Sequence, residues 1–315
     1  MEKSRITKQT IDLAGYQYQE PHYLQTRSRI NSLVERYLSI DILQNCLVDL
    51  PRQFEKPHQR PWQPIDWQAI NPDQIIGVKP ALFTAAIANA VEIETPIRAY
   101  AKESWDYLQV THPQMAKFVG GTFAADGTVL EVGLSEKEER QHRPAFSKIY
   151  QELTGEKLNP QSNSVQGYES SGNIREDVYK HALSRITTEW GATSVYLWLM
   201  AHSTGALQQA IAQPLQDEIN HLAKFWGISR WAFGDSYLTR LRGTTKNLMS
   251  LLQHHQGERT HTKELLQLGY ALYAVELVFT FARLMVQLRR WNQTLSDEDL
   301  VKLFGLPPQE RLAAS

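Results

Sequence analysis

Along most of the chain apolar residues recur at three- and four-residue spacing, and they almost never alternate with polar ones. This pattern predicts a helix over Thr26–Leu47. A Pro-, Gln- and Trp-rich stretch, Pro51–Pro80, then reads as a long irregular connection. Further helices are expected over Ala81–Leu108 and over Ser135–Leu153, where Glu138 completes a capping box on Ser135. Two more follow, Arg175–Met200 and Ala206–Trp226, the second stopping at Gly227. Gly120–Val132 carries the turn pair Asp126-Gly127, which can close a short hairpin, and Leu158–Asn173 is a polar loop. Helices over Asp235–His255, Thr262–Trp291 and Ser296–Phe304 complete an all-α chain, and helices of this length pack as a bundle. The expected organisation is an N-terminal helical extension over residues 1–80, a four-helix core over 81–227, and C-terminal helices over 228–315 packed on it.

Composition narrows the function. The 315 residues are 42% hydrophobic and 21% charged, enough apolar material for a large core. A net charge of −1 with no sustained basic block disfavours nucleic acid or an anionic membrane as the main partner. Cys46 is the only cysteine, which excludes an intrachain disulfide and any Cys-based zinc or iron–sulfur site. The opening MEKSRITKQT lacks the apolar segment of a signal peptide, so a cytoplasmic location is expected. The most apolar stretch, Leu265–Leu288, is interrupted by Glu276 and Arg283. It reads as a buried or homodimer-forming helix and not as a membrane span.

The chemistry lies in Glu-x-x-His pairs. On a helix, positions i and i+3 share a face, so a carboxylate and an imidazole can converge on one cation. Four such pairs occur. Glu55/His58 lies in the Pro-rich connection and Glu258/His261 in a polar junction, and both read as surface coincidences. Glu139/His142 and Glu218/His221 are different, because each follows a helix with its own candidate acid. Glu189 stands in ITTEWGATSVYLWLM, a segment whose downstream half is apolar all round. An ionised Glu there needs a cation. The first acid is Glu94, Glu92 or Glu103; the apolar face of Glu94 favours it, with Glu92 in reserve.

The order Glu94, Glu139-x-x-His142, Glu189, Glu218-x-x-His221 resembles the ferritin-like di-iron carboxylate superfamily. The strings Glu138-Glu139-Arg-Gln-His142 and Asp217-Glu218-Ile-Asn-His221 are similar to those of soluble acyl-carrier-protein desaturases. The step from Glu189 to Glu218 looks more like that of aldehyde-deformylating oxygenases. The resemblance spans about Ala81–Trp226 and implies a ferritin-like four-helix bundle holding two iron (or manganese) ions. In it Glu94 and Glu189 are terminal ligands, Glu139 and Glu218 bridges, and His142 and His221 the nitrogen ligands. Asp217 would then serve the outer nitrogen of a histidine, His142 first. In di-iron monooxygenases a threonine offset like Thr193 lines the oxygen side. The competing reading of Thr193 is a hydroxyl bonded to the carbonyl one turn back. His181 is expected half-exposed and His202 at a helix end, both without function.

The expected activity is therefore dioxygen-dependent oxidation, oxygenation or desaturation of an apolar, acyl-like substrate. No flavin or nicotinamide fingerprint is present, so electrons come from a separate donor, a reductase or a ferredoxin. The alternatives are a ferroxidase or iron-handling protein, and a non-enzymatic helical interaction protein with a structural or decayed site.

Overall fold

Local chemistry cuts several predicted helices into shorter rods. The computed structural model describes residues 22–94, 97–158, 172–234 and 264–307. The first helix divides into α1 (His22–Tyr37) and α2 (Ile40–Val48), because the Ser39 hydroxyl caps α2 by accepting from the Ile42 N–H at 3.3 Å. A short α3 (Leu50–Glu55) follows. Two single 3₁₀ turns, Trp67–Ala69 and Pro72–Gln74, interrupt the connection that follows. The predicted Ala81–Leu108 rod is likewise two helices, α4 (Pro80–Ile93) and α5 (Ile97–Leu108). Pro96 lies in the sequence between them, where its ring opposes helix continuation.

An unanticipated helix, α6 (Pro113–Gly120), is entered at His112, whose ring accepts from the Met115 N–H at 3.0 Å. Gly121 follows with φ +90°; a Cβ there would sit 1.8 Å from the Glu131 carbonyl, so the tight corner requires glycine. The expected hairpin forms from β1 (Thr122–Phe123) and β2 (Val129–Glu131), with Asp126 accepting from the Thr128 N–H at 2.9 Å.

Four long helices carry the rest: α7 (Leu134–Thr154), α8 (Ile174–Ala201), α9 (Gly205–Phe233) and α10 (Glu264–Thr294), with a short α11 (Asp297–Phe304). The capping box on Ser135 does not form. Gly133 is the N-cap, and Glu138 is drawn inward by partners described below. Nor does the chain stop at Gly227. That glycine lies inside α9, and the Leu47 side chain of α2 packs where its Cβ would be, 2.4 Å away, so the contact needs a residue without a side chain. The predicted Asp235–His255 helix and the Glu258/His261 pair lie outside the described residues, as does most of the Leu158–Asn173 loop.

The described residues are thus mostly helical. α4 packs on α7 and α8, and α9 packs on the same two, so the four close a ring. α5 covers α7 and α8 from outside, α10 lies on α8, α1 and α2, and α11 lies on α9. Fully buried Trp190, Trp198, Trp226 and Trp291 fill the space between these layers. Among the described residues one helical segment, Ala271–Thr294, is long and apolar enough to cross a membrane. Its inner side, with buried Leu284, Leu288 and Trp291, packs on the bundle.

His181 is buried, contrary to the half-exposed position expected. It joins α8 to α5 through a 3.0 Å bond with the Ser104 hydroxyl and a stack on Tyr107. Burial, and then the nearby Arg185 cation, push its pKa down from 6.5 to about 3. The unfolded chain therefore takes up this proton first, and stability is lost as pH falls below 6.5 towards 3. At pH 5 the loss is about 2 kcal/mol. Urea unfolding of His181→Gln at pH 7 and pH 5 is expected to show a stability difference smaller than wild type by that amount.

Candidate metal centre

Each acid of the predicted order reaches the interior of the helix ring. Glu94 is the C-cap of α4 and 4% exposed, whereas Glu92 points to solvent and Glu103 is only half-buried. Glu139 and His142 come from α7, Glu189 from α8, and Glu218 and His221 from α9, all buried. They form two overlapping sets. Glu94, Glu139, His142 and Glu218 bring one ligand atom each within 4.8 Å of one another, and so do Glu139, Glu189, Glu218 and His221. Glu139 and Glu218 belong to both. The other Glu-x-x-His pair among the described residues, Glu55/His58, is exposed, as expected of a coincidence.

The donor set is aimed at shared centres. His142 Nδ1 faces oxygens of Glu218 at 3.1 Å, Glu139 at 3.3 Å and Glu94 at 3.7 Å. None of these makes a hydrogen bond to it, so a fully buried ring nitrogen meets three carboxylates with its own valence unsatisfied. Such an orphan is costly in a protein interior and is the arrangement a cation satisfies. His221 Nδ1 lies 2.9 Å from Glu139 and 3.9 Å from Glu189.

The outer nitrogens reveal a reciprocal design. His142 Nε2 pairs with Asp217 of α9 at 3.3 Å, and His221 Nε2 with Glu138 of α7 at 2.9 Å. Each helix thus carries an acid, a Glu and, three residues on, a His, and its first acid orients the histidine of the other helix. The Asp217–His142 pairing matches the expectation from sequence. The role of Glu138 was not anticipated, although the repeated acid-Glu-x-x-His spacing carries the signal.

Residues missed by sequence reasoning hold the acids in place. Arg60 and Trp62, from the irregular connection, donate to Asp217 at 2.7 and 2.8 Å, and the Arg60 backbone N–H donates to Glu138 at 3.0 Å. Trp62 also stacks on His142, ring centroids 6.1 Å apart. The Tyr196 hydroxyl donates to Glu94. Arg185, itself buried, pairs with Glu189 one turn later on α8. Thr193 is fully buried on the face of Glu189, and its hydroxyl has no partner among the described residues. It does not bond back along the helix, unlike Thr187 and Ser194 on the same rod. His202 is a helix-end residue, as expected: it caps α8 and holds the Ile76 carbonyl and Glu276.

The electrostatics follow from crowding acids out of water. Burial, then repulsion by Glu139 and Glu189, holds the Glu218 carboxyl well above the usual carboxylate range. Burial also raises Glu94, against the pull of His142. Burial would raise Glu139 too, but the neighbouring rings of His142 and His221 bring it well below the usual range. Burial opposes charge on both rings, yet their acid partners prevail, raising His142 well above its ordinary value and His221 to about 10. The metal-free centre is therefore protonated at several points. A cation has to displace these protons, so metal affinity is expected to rise with pH across the neutral and mildly alkaline range. Calorimetric titration in buffers of different ionisation enthalpy checks this: more than one proton is expected to leave per chain on loading at pH 7.

No known protein family, curated protein or solved structure matches the chain.

Proposed function

We propose that the buried cluster holds two iron or manganese ions and that the protein is a di-metal oxidoreductase of ferritin-like architecture. It activates dioxygen against an apolar, acyl-like substrate, with electrons from a separate reductase or ferredoxin. The observation that carries this reading is the pair of ligand sets sharing Glu139 and Glu218, each completed by one histidine and one further glutamate. Four carboxylates and two imidazoles suit Fe(II) or Mn(II), and two carboxylates common to both sets are what a bridged pair requires. Glu94 and His142 would complete one metal, and Glu189 and His221 the other.

When bound, such a pair supplies two-electron redox chemistry towards dioxygen. The protein's part is orientation and exclusion of water. Asp217 and Glu138 fix the outer nitrogen of each ring and aim the inner one at the cluster. Arg60 and Trp62 hold Asp217 in turn, so the connection before α4 acts as the outer wall of the site. Tyr196 holds one Glu94 oxygen in place by donating to it. Thr193 brings an unpaired hydroxyl to the face of Glu189, where it can donate to a reacting group without first breaking a bond to the protein.

Two variants test the reading. Glu218→Ala removes an acid held at a cost by burial and repulsion. The metal-free variant is expected to melt no lower than metal-free wild type, while anaerobic Fe(II) loading, counted by plasma emission, falls below two ions per chain and oxidase activity is lost. Wild-type protein that takes up neither iron nor manganese would falsify the proposal. Thr193→Val keeps the shape and removes only the hydroxyl. Its melting temperature is expected to stay equal or rise. In a turnover assay it should consume dioxygen with a smaller share coupled to product.

A further inference from the structure

Away from the cluster, apolar surface is concentrated on one rod. Of the nine large apolar side chains exposed among the described residues, four belong to α10: Leu272, Val275, Val278 and Val286, with Val278 63% exposed. Exposed Ala271, Ala274 and Ala282 lie between them. From Ala271 to Leu288 the only charged residues are Glu276, which is buried on the inner side, and Arg283, which donates to Asn31 of α1. Single apolar residues are ordinary on a surface, whereas a contiguous row marks a contact.

The row has a repeat. Ala271, Val275, Val278 and Ala282 follow one another at steps of four, three and four, the heptad spacing with which one helix meets another. Buried Glu276, Thr280 and Leu284 hold the opposite side of the rod on the bundle. One heptad step before Ala271 stands Glu264, and one after Ala282 stands Arg289, both within α10. A second copy of this rod, laid antiparallel, matches the row in a single register. Ala271 then stands opposite Ala282 of the second copy and Val275 opposite Val278, while position 264, an acid, falls opposite position 289, a base. A two-fold axis produces each pairing twice. Laid parallel, the same rods would set Glu264 against Glu264 and Arg289 against Arg289. A lipid surface is met by bulky apolar side chains and makes no demand for alanine at fixed steps.

We propose that this row is the interface of a homodimer in which the α10 helices of two copies pack antiparallel, with Val275 and Val278 at the centre. The same rod carries Phe281, stacked on Trp190 next to Glu189, so the contact between copies backs the helix that supplies Glu189.

Sedimentation equilibrium of the full chain is expected to give twice 36.1 kDa. Val275→Glu/Val278→Glu sets acid against acid at the centre and should weaken association about a hundredfold or more, with helix content by circular dichroism unchanged. Should that variant fail to fold, the charged pair carries the test. Glu264→Arg and Arg289→Glu are each expected to weaken association about fivefold, and the two together to restore it. A monomeric wild type overturns the proposal; a lower melting temperature in Val278→Glu would then assign the cover of the row to residues 235–263 of the same chain. A dimer undiminished by the folded paired-glutamate variant also overturns it, because the copies then meet through another face. Charge reversals whose effects add, where cancellation is expected, overturn the antiparallel register and the interface with it.

Discussion

Carboxylates removed from water must be protonated, paired or given a cation, because an ionised acid in a protein interior is otherwise too costly to keep. Here Glu94, Glu138, Glu139, Glu189, Asp217 and Glu218 are buried in one region of one helical ring. Much of the surrounding structure answers that load. Arg60 reaches in from an irregular connection, Arg185 from within α8, and the two histidines lie between acids on both sides. Even Pro57–Pro64, without helix or strand, is fixed by bonds to Glu138, Gln213 and Asp217.

The reciprocal contact of α7 and α9 gives the centre its precision. Because the acid before each shared Glu orients the histidine of the opposite helix, neither motif is complete without the other. A rotation of one rod would misplace a ligand on each set at once. This explains why a site with so many mutually repelling groups is built on rods and not on loops. The packing of large apolar rings around it, Trp190 on Phe281 and Phe146 on Tyr196, holds the rods at fixed rotation.

Helix periodicity and motif spacing made much of this readable beforehand. The identity of α7, α8 and α9 follows from their 3.6-residue patterns, and the apolar face that Glu94 rides distinguishes it from Glu92. Helix ends were less legible. Ser39 divides a rod whose apolar spacing runs on unbroken, and Gly227 resembles a stop until Leu47 is seen to occupy its missing side chain. The 113–120 helix leaves little periodic signal because it spans only eight residues.

By itself the chain determined its helical class and the spacing that sets a carboxylate and an imidazole on one face, and it suggested Asp217 as a partner for His142, which the fold then supplies. These depend on residues near one another in sequence, or on a repeated motif. Only tertiary structure decided that Glu138, Arg60, Trp62, Tyr196 and Arg185 surround the cluster, since their partners lie on other elements or depend on how a side chain turns within its own helix. It also decided that the Thr193 hydroxyl finds no partner among the described residues, because an absent hydrogen bond depends on every neighbour in space and leaves no trace in local sequence.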